Sequence, residues 1–162
     1  MNVAEVTRRR LEDQVVLVTG GGSGIGRAIA CACAAEGAHV VVADVDTDAA
    51  ESTAGAIATG GGSALAVRTD VRSPESQDGL FLRVEERFGR LDVLVNNAGI
   101  FHVAPLLDFP LDYWQRVFAV NVEGALLATQ RAGRMMQRQE PHPLTRCRGK
   151  IPNIEPATDT SR

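Results

Sequence analysis

Short runs of β-branched and other apolar residues alternate with longer helical stretches along most of the chain. The predicted strands are 15–19, 39–44, 64–68 and 91–96, and the predicted helices are 24–36, 47–59, 73–88 and 111–137. The second strand is apolar across residues 40–42, as expected when helices cover both faces of a sheet. Four successive strand–helix units predict an α/β fold with a doubly wound parallel sheet.

A glycine-rich loop, TGGGSGIG at residues 19–26, follows the first predicted strand and opens the first helix. Glycines at this position let the backbone N–H groups approach a pyrophosphate at the positive end of the helix dipole. The spacing of Gly20, Gly24 and Gly26 differs from G-x-G-x-x-G, and no Lys-Ser/Thr pair follows as a P-loop requires. The alternative is a tight turn that binds nothing.

Asp44 ends the second predicted strand, 18 residues beyond Gly26. A carboxylate there can accept hydrogen bonds from the adenosine ribose hydroxyls, and it would repel the 2′-phosphate of NADP. No Arg or Lys stands beside Asp44, and Ser23 rather than a basic residue precedes Gly24. The pattern therefore favours NAD over NADP, although Asp after a strand is also a common turn former.

Taken in order, the motifs resemble those of the short-chain dehydrogenase/reductase family over about residues 12–151. The glycine loop resembles the family's T-G-x-x-x-G-I-G cofactor loop. Asp70 and Val71, after the third strand, resemble the pair that holds the adenine ring. Residues 96–99 resemble the N-N-A-G signature beside the cofactor, and Asn121 matches the Asn of the Asn-Ser-Tyr-Lys catalytic set.

The resemblance implies a Rossmann fold and hydride transfer between NAD(P) and an alcohol or ketone substrate, in a protein that is usually homo-oligomeric. The residues that it assigns to cofactor binding are Gly20, Ser23, Gly24, Ile25, Gly26, Asp44, Asp70, Val71, Asn97 and Gly99. Asn121 is its one catalytic residue here, a position that holds a water for proton relay in the family. The alternatives are a capped turn at Asp70, an Asx-turn at 96–97 and a helix kink at Asn121.

The family's Tyr-x-x-x-Lys pair and catalytic serine have no counterpart in this sequence. Its one tyrosine is Tyr113 and its one lysine is Lys150, which are far apart. Residues 149–154 begin like the family's fifth strand, but Pro156 stands where the serine is expected and Pro152 disfavours a central strand. We therefore expect a chain truncated before the Tyr-x-x-x-Lys motif, with a sheet incomplete at its C-terminal side.

The composition, 44% hydrophobic and 23% charged with a net charge of -3, is that of a globular protein without a nucleic-acid partner. No apolar stretch suits a signal peptide or membrane span, so we expect a cytoplasmic protein. Cys31 and Cys33 point to different sides of a predicted helix, which suits neither a disulfide nor a metal site. We divide the chain into a solvated N-terminal arm (1–12), an NAD(P)-binding domain (13–140) and an irregular tail (141–162).

Three functions remain open at this point. The first is the cofactor-binding part of a short-chain dehydrogenase/reductase, and the second is a non-catalytic dinucleotide-binding module or pseudoenzyme, favoured by the missing Tyr-x-x-x-Lys pair. An S-adenosylmethionine-dependent methyltransferase shares the early strand–helix pattern. The signature at 96–99 and the Ile25-Gly26 end of the glycine loop argue against it.

Overall fold

Residues 9–154 are described by a computed structural model, and they form a parallel sheet with helices on both faces. The strands are β1 (Val15–Thr19), β2 (His39–Asp44), β3 (Ser63–Arg68) and β4 (Val93–Val95). The helices are α1 (Gly24–Ala35), α2 (Thr47–Thr59), α3 (Pro74–Phe88), α4 (Leu111–Phe118) and α5 (Ala125–Arg138). The strands lie in the order β3-β2-β1-β4, which confirms the predicted doubly wound α/β fold.

The two faces of the sheet carry separate hydrophobic clusters because side chains alternate along each strand. Val15, Leu17 and Val41 belong to the cluster that includes residues of α3 and α5. Val16 and Val42 belong to the opposite cluster, with residues of α1 and α2. The near-continuous apolar runs of β1 and β2 are thus explained by helices on both sides.

Several of the predicted element boundaries need correction. β3 begins at Ser63, and α1 ends at Ala35. β4 covers only Val93–Val95, although the backbones of Asp92 and Asn96 on either side of it also make hydrogen bonds to neighbouring segments. The predicted helix over 111–137 is divided, since a π-helical segment, Ala119–Gly124, separates α4 from α5.

Residues 9–13, which include the last part of the predicted N-terminal arm, make hydrogen bonds to the end of α1. The N–H of Leu11 donates to the carbonyl of Glu36 at 3.0 Å, and the N–H of Asp13 donates to that of Gly37 at 3.2 Å. The Arg10 guanidinium pairs with the Glu36 carboxylate at 2.8 Å, and this hydrogen bond lowers the pKa of Glu36. Residues 1–8 of the expected arm lie outside the described residues.

Residues 150–154 pair with β4 in parallel, despite the proline that argues against a strand there. Four backbone hydrogen bonds of 2.9–3.0 Å join this segment to residues 92–96. The position that would donate to the carbonyl of Leu94 is Pro152, which has no N–H. The pairing is therefore interrupted at Pro152. In place of a regular ladder, the segment forms two isolated bridges, Lys150 with Val93 and Asn153 with Asn96. Pro156, the position expected for the catalytic serine, lies outside the described residues.

Within residues 9–154, no helix is both long and apolar enough to cross a lipid bilayer.

Candidate cofactor-binding site

A groove of about 1180 Å³ opens at the carboxyl ends of the strands. It spans the β1–β4 boundary, where the chain crosses from one half of the sheet to the other, and ligands of open α/β sheets bind at such switch points. The groove is lined by all the residues predicted to bind the cofactor and by the predicted catalytic residue, which are Gly20, Ser23, Gly24, Ile25, Gly26, Asp44, Asp70, Val71, Asn97, Gly99 and Asn121. The fold therefore brings the predicted set together.

The glycine loop is packed too closely for side chains at three of its positions, Gly20, Gly22 and Gly26. A Cβ on Gly26 would overlap the carbonyl oxygen of Gly20 and lie 2.5 Å from Asn97 Nδ2. A Cβ on Gly20, whose φ is +64°, would lie 2.9 Å from Ala98 Cα. Gly24 is different, because its surroundings are open and only its φ of +50° favours glycine. At these glycines the loop thus presents backbone, rather than side chains, to its surroundings.

Within residues 9–154, the first turn of α1 has backbone N–H donors that no side-chain cap satisfies. α2 is capped by Asp46, which accepts from the N–H of Ala49, and α3 is capped by Ser73, which accepts from the N–H of Ser76. Ser23 at the start of α1 makes no such bond with its side chain. Because first-turn amides have no partner within their own helix, those of α1 are available to an anion. The loop therefore fits a pyrophosphate.

Thr19 and Asn97 fasten the end of β4 to the end of β1. The Thr19 hydroxyl donates to the carbonyl of Val95 at 3.3 Å and accepts from the N–H groups of Asn97 and Ala98, each at 3.1 Å. The Asn97 amide donates to the carbonyls of Thr19 and Gly20 at 3.0 and 3.1 Å. Asn97 therefore positions the glycine loop. The spacing of residues in the sequence did not reveal this contact.

Asp44 stands at the rim of the groove with spare hydrogen-bonding capacity. One carboxylate oxygen accepts from the N–H of Gly22 at 2.9 Å, and the other accepts from the N–H of Asp46 at 3.1 Å. A carboxylate has about four acceptor sites, so each oxygen can accept one more hydrogen bond. This capacity suits the two hydroxyls of a ribose.

Asp70 and Val71 are each held by a residue that the sequence analysis did not single out. The Arg72 guanidinium pairs with the Asp70 carboxylate at 2.7 Å, and its hydrogen bonds lower the pKa of Asp70. The buried amide of Gln77 donates to the carbonyls of Val71 and Gly124 at 2.6 and 3.0 Å. The position of Gln77 on the buried face of α3 was the only sequence signal for its role.

Asn121 lies in the π-helical segment and holds the loop that follows β4. Its side-chain oxygen accepts from the N–H of Ile100, and its amide donates to the carbonyl of Ile100, both at 2.9 Å. The side chain is half-buried with both ends paired, so its place on an apolar face has a structural reason. π-Helical turns occur often at functional sites, and this one borders the groove.

The only tyrosine and the only lysine lie apart from the groove in the described part of the chain. Tyr113 stacks on His102 with ring centroids 3.9 Å apart, and the Arg116 guanidinium covers it at 4.8 Å. Lys150 pairs with β4 through its backbone. Neither residue lines the groove.

Comparisons with known proteins agree with this geometry. The family model described as short chain dehydrogenase matches residues 14–154. The L-rhamnose 1-dehydrogenase (NAD(P)(+)) of Sphingomonas sp. strain SKA58 is 41% identical over 130 residues, which are 80% of this chain and 51% of that protein. The sorbitol dehydrogenase of Cereibacter sphaeroides is 40% identical over 78% of this chain and 48% of its own length.

Solved structures give the same result. A short-chain type dehydrogenase/reductase from Mycobacterium marinum superposes with a TM-score of 0.82 at 37% identity, covering 90% of this chain and 55% of that one. A 7α-hydroxysteroid dehydrogenase complexed with NADH and 7-oxo glycochenodeoxycholic acid also gives 0.82, at 33% identity, over 91% of this chain and 55% of its own. The chain spans about half the length of these relatives. It belongs to the short-chain dehydrogenase family.

Proposed function

We propose that this chain is the dinucleotide-binding part of an oxidoreductase that transfers hydride between NAD and a secondary alcohol or ketone. The observation that carries the proposal is the groove at the strand-order switch point, which combines a glycine loop, an uncapped helix N-terminus and Asp44. The α1 amides would hold the pyrophosphate, and Asp44 would hold the adenosine ribose. The bound nicotinamide would supply the hydride acceptor or donor.

The charges around Asp44 support NAD rather than NADP. A 2′-phosphate on the ribose would meet a carboxylate that already accepts two backbone N–H bonds. Among residues 9–154, Arg72 is the only basic residue that lines the groove, and its charge is paired with Asp70. No free cation of the described groove would therefore offset the repulsion of a 2′-phosphate.

Calorimetric titration with NAD and with NADP tests this proposal. We expect the wild-type chain to bind NAD about tenfold or more tightly than NADP, equivalent to about 1.4 kcal/mol. Asp44→Ala should weaken NAD binding and narrow the preference. Asp48→Ala is the matched control, because Asp48 is exposed on α2 and does not line the groove. Equal affinities for both cofactors in the wild type would contradict the proposal.

The chain itself we propose to be a cofactor-binding unit without turnover, and a non-catalytic module or pseudoenzyme is the second candidate. The separation of Tyr113 and Lys150 from the groove favours the absence of catalysis. An assay of NADH formation with a panel of secondary alcohols distinguishes these two non-catalytic hypotheses from the hypothesis that the chain is an active enzyme. NAD binding without NADH formation supports a binding unit, whereas alcohol-dependent turnover by this chain would refute it.

A further inference from the structure

The end of the groove near Val71 carries a guanidinium whose orientation is held at several points. Arg72 Nε donates to one Asp70 carboxylate oxygen at 2.9 Å, and Nη2 donates to the other at 2.7 Å. The backbone N–H of Arg72 also donates to the first oxygen at 3.0 Å. The N–H of Asp70 in turn donates to the Ser76 hydroxyl at 3.0 Å, which ties the turn to α3. A two-point pair of this kind restrains the guanidinium plane.

The same pair changes what Asp70 can offer to a ligand. Both of its oxygens accept hydrogen bonds from Arg72, so only part of its acceptor capacity remains. The hydrogen bonds from Arg72 also hold the pKa of Asp70 below its usual range, which keeps the carboxylate ionised and the pair intact at neutral pH. Asp70 can therefore accept fewer hydrogen bonds from a ligand than an unpaired carboxylate could.

The charge and shape of the pair indicate which ligand group it suits. Asp70 neutralises the Arg72 charge, which makes the pair a poor site for a phosphate. Nearly half of the Arg72 side chain is exposed, and the residue lines the groove beside Val71. A flat, weakly hydrated guanidinium packs well on an aromatic ring, whereas an ammonium group has no such plane.

We propose that Arg72 is a further cofactor-binding residue, whose guanidinium, oriented by Asp70, stacks on the adenine ring beside Val71. This inference rests on the proposed function, because it needs a dinucleotide whose ribose is held by Asp44 and whose adenine reaches the Val71 end of the groove. Asp70 then acts partly as a positioning residue, through Arg72. The site selects an uncharged aromatic base and contributes nothing to the nicotinamide end.

Calorimetric titration with AMP and with nicotinamide mononucleotide tests the proposal on the full chain. Arg72→Lys keeps the charge but removes the plane, so AMP and NAD should bind about threefold to tenfold more weakly. Binding of nicotinamide mononucleotide should not change. Arg68→Lys is the matched control, since Arg68 is exposed at the end of β3 and does not line the groove. Asp70→Asn should weaken AMP binding in the same direction, because the two-point pair is lost.

The outcomes are distinguishable. Wild-type affinity for AMP in Arg72→Lys would overturn this inference alone, while NAD binding by the wild type would still support the proposed function. Weakened binding of 2′,5′-ADP with unchanged AMP binding would assign Arg72 to a phosphate and overturn the stacking role. Failure of the wild-type chain to bind AMP or NAD would overturn the proposed function and this inference with it. A thermal unfolding scan of each variant checks that the fold is kept.

Discussion

Replacing Gly26 with alanine should destabilise the fold and abolish cofactor binding through one steric conflict. The added Cβ would overlap the Gly20 carbonyl oxygen and lie 2.5 Å from Asn97 Nδ2 and 2.8 Å from the Gly20 carbonyl carbon. These neighbours are backbone and a paired amide, so α1 or the loop must shift by roughly 1 Å to reach ordinary contact. Overpacking of this kind costs about 1–3 kcal/mol.

A second cost comes from the hydrogen bond between the two crowded groups. The Asn97 amide donates to the Gly20 carbonyl at 3.1 Å, and a shift of either group breaks this bond. Losing one such bond in a half-buried site costs about 1 kcal/mol. The free energy of unfolding should therefore fall by about 2–4 kcal/mol in Gly26→Ala.

Alanine substitutions at two other glycines distinguish the cost of a steric conflict from the cost of an unfavourable backbone conformation. Gly24 has a φ of +50° with nothing near its Cβ position, so Gly24→Ala should cost only the left-handed backbone strain, about 1–2 kcal/mol. Gly79 lies exposed within α3 with open space around it. Because alanine is the better helix former, Gly79→Ala should stabilise the fold by about 0.5–1 kcal/mol.

Urea unfolding followed by circular dichroism gives the free energies of the three variants, and NAD titration gives their binding. We expect the stability order Gly79→Ala, wild type, Gly24→Ala, Gly26→Ala. The reasoning would be refuted if Gly26→Ala were within about 1 kcal/mol of the wild type, since a real overlap cannot be relieved so cheaply.

Three further predictions concern charges and exposed surface. Asp92 is almost fully buried and accepts from the N–H of Val15 at 2.9 Å, so Asp92→Leu should lower the urea-derived unfolding free energy by about 2–4 kcal/mol. Arg72 lowers the pKa of Asp70 in the folded chain, so the contribution of this carboxylate is complete above about pH 5 and is lost as the pH falls below about 3.9. Asp70→Asn should flatten the pH dependence of the urea midpoint in that window. Leu107 is 96% exposed, so Leu107→Ser should leave the melting temperature unchanged and reduce self-association measured by light scattering.

The elements that could be predicted from sequence are those whose signals are local. α2 begins after Asp46 and α3 begins after Ser73 because each side chain caps its own helix, which is an interaction between residues three apart in the sequence. The glycine loop was predictable because its spacing reflects the close approach of α1 to β1. The parallel strands followed from apolar runs bounded by turn residues.

A helix kink at Asn121 was one alternative in the sequence, but the π-helical form of the turn at 119–124 was not predictable, because its cause lies in tertiary packing. A Cβ on Gly124 would lie 3.0 Å from Val71, so the helix passes very close to the turn after β3. The Asn121 side chain meanwhile accepts from the N–H of Ile100 and donates to its carbonyl. A wider helical turn lets one helix keep contacts with two different loops at nearby positions. The helical periodicity of the sequence continues through this turn, so the sequence does not indicate it.

Pro152 illustrates a local rule that tertiary pairing outweighs. The proline removes the donor for one carbonyl, that of Leu94, yet four other backbone bonds join the segment to residues 92–96. Net contributions of about 1 kcal/mol per bond make four bonds formed outweigh one lost. The sequence shows that Pro152 lacks a backbone donor, but it does not show that residues 92–96 lie alongside and form the other bonds.

The contacts of the polar groove residues change where cofactor recognition is expected to reside. The side-chain amides of Asn97 and Asn121 are engaged with backbone of the protein, and the Asp70 carboxylate is engaged with Arg72. What these contacts leave for a dinucleotide is the backbone N–H groups of the first turn of α1, the spare acceptor sites of Asp44 and the exposed Arg72 face. Asn97 and Asn121 therefore act mainly by positioning backbone. Substitutions at the glycines should consequently impair cofactor binding more than conservative changes at the asparagines do.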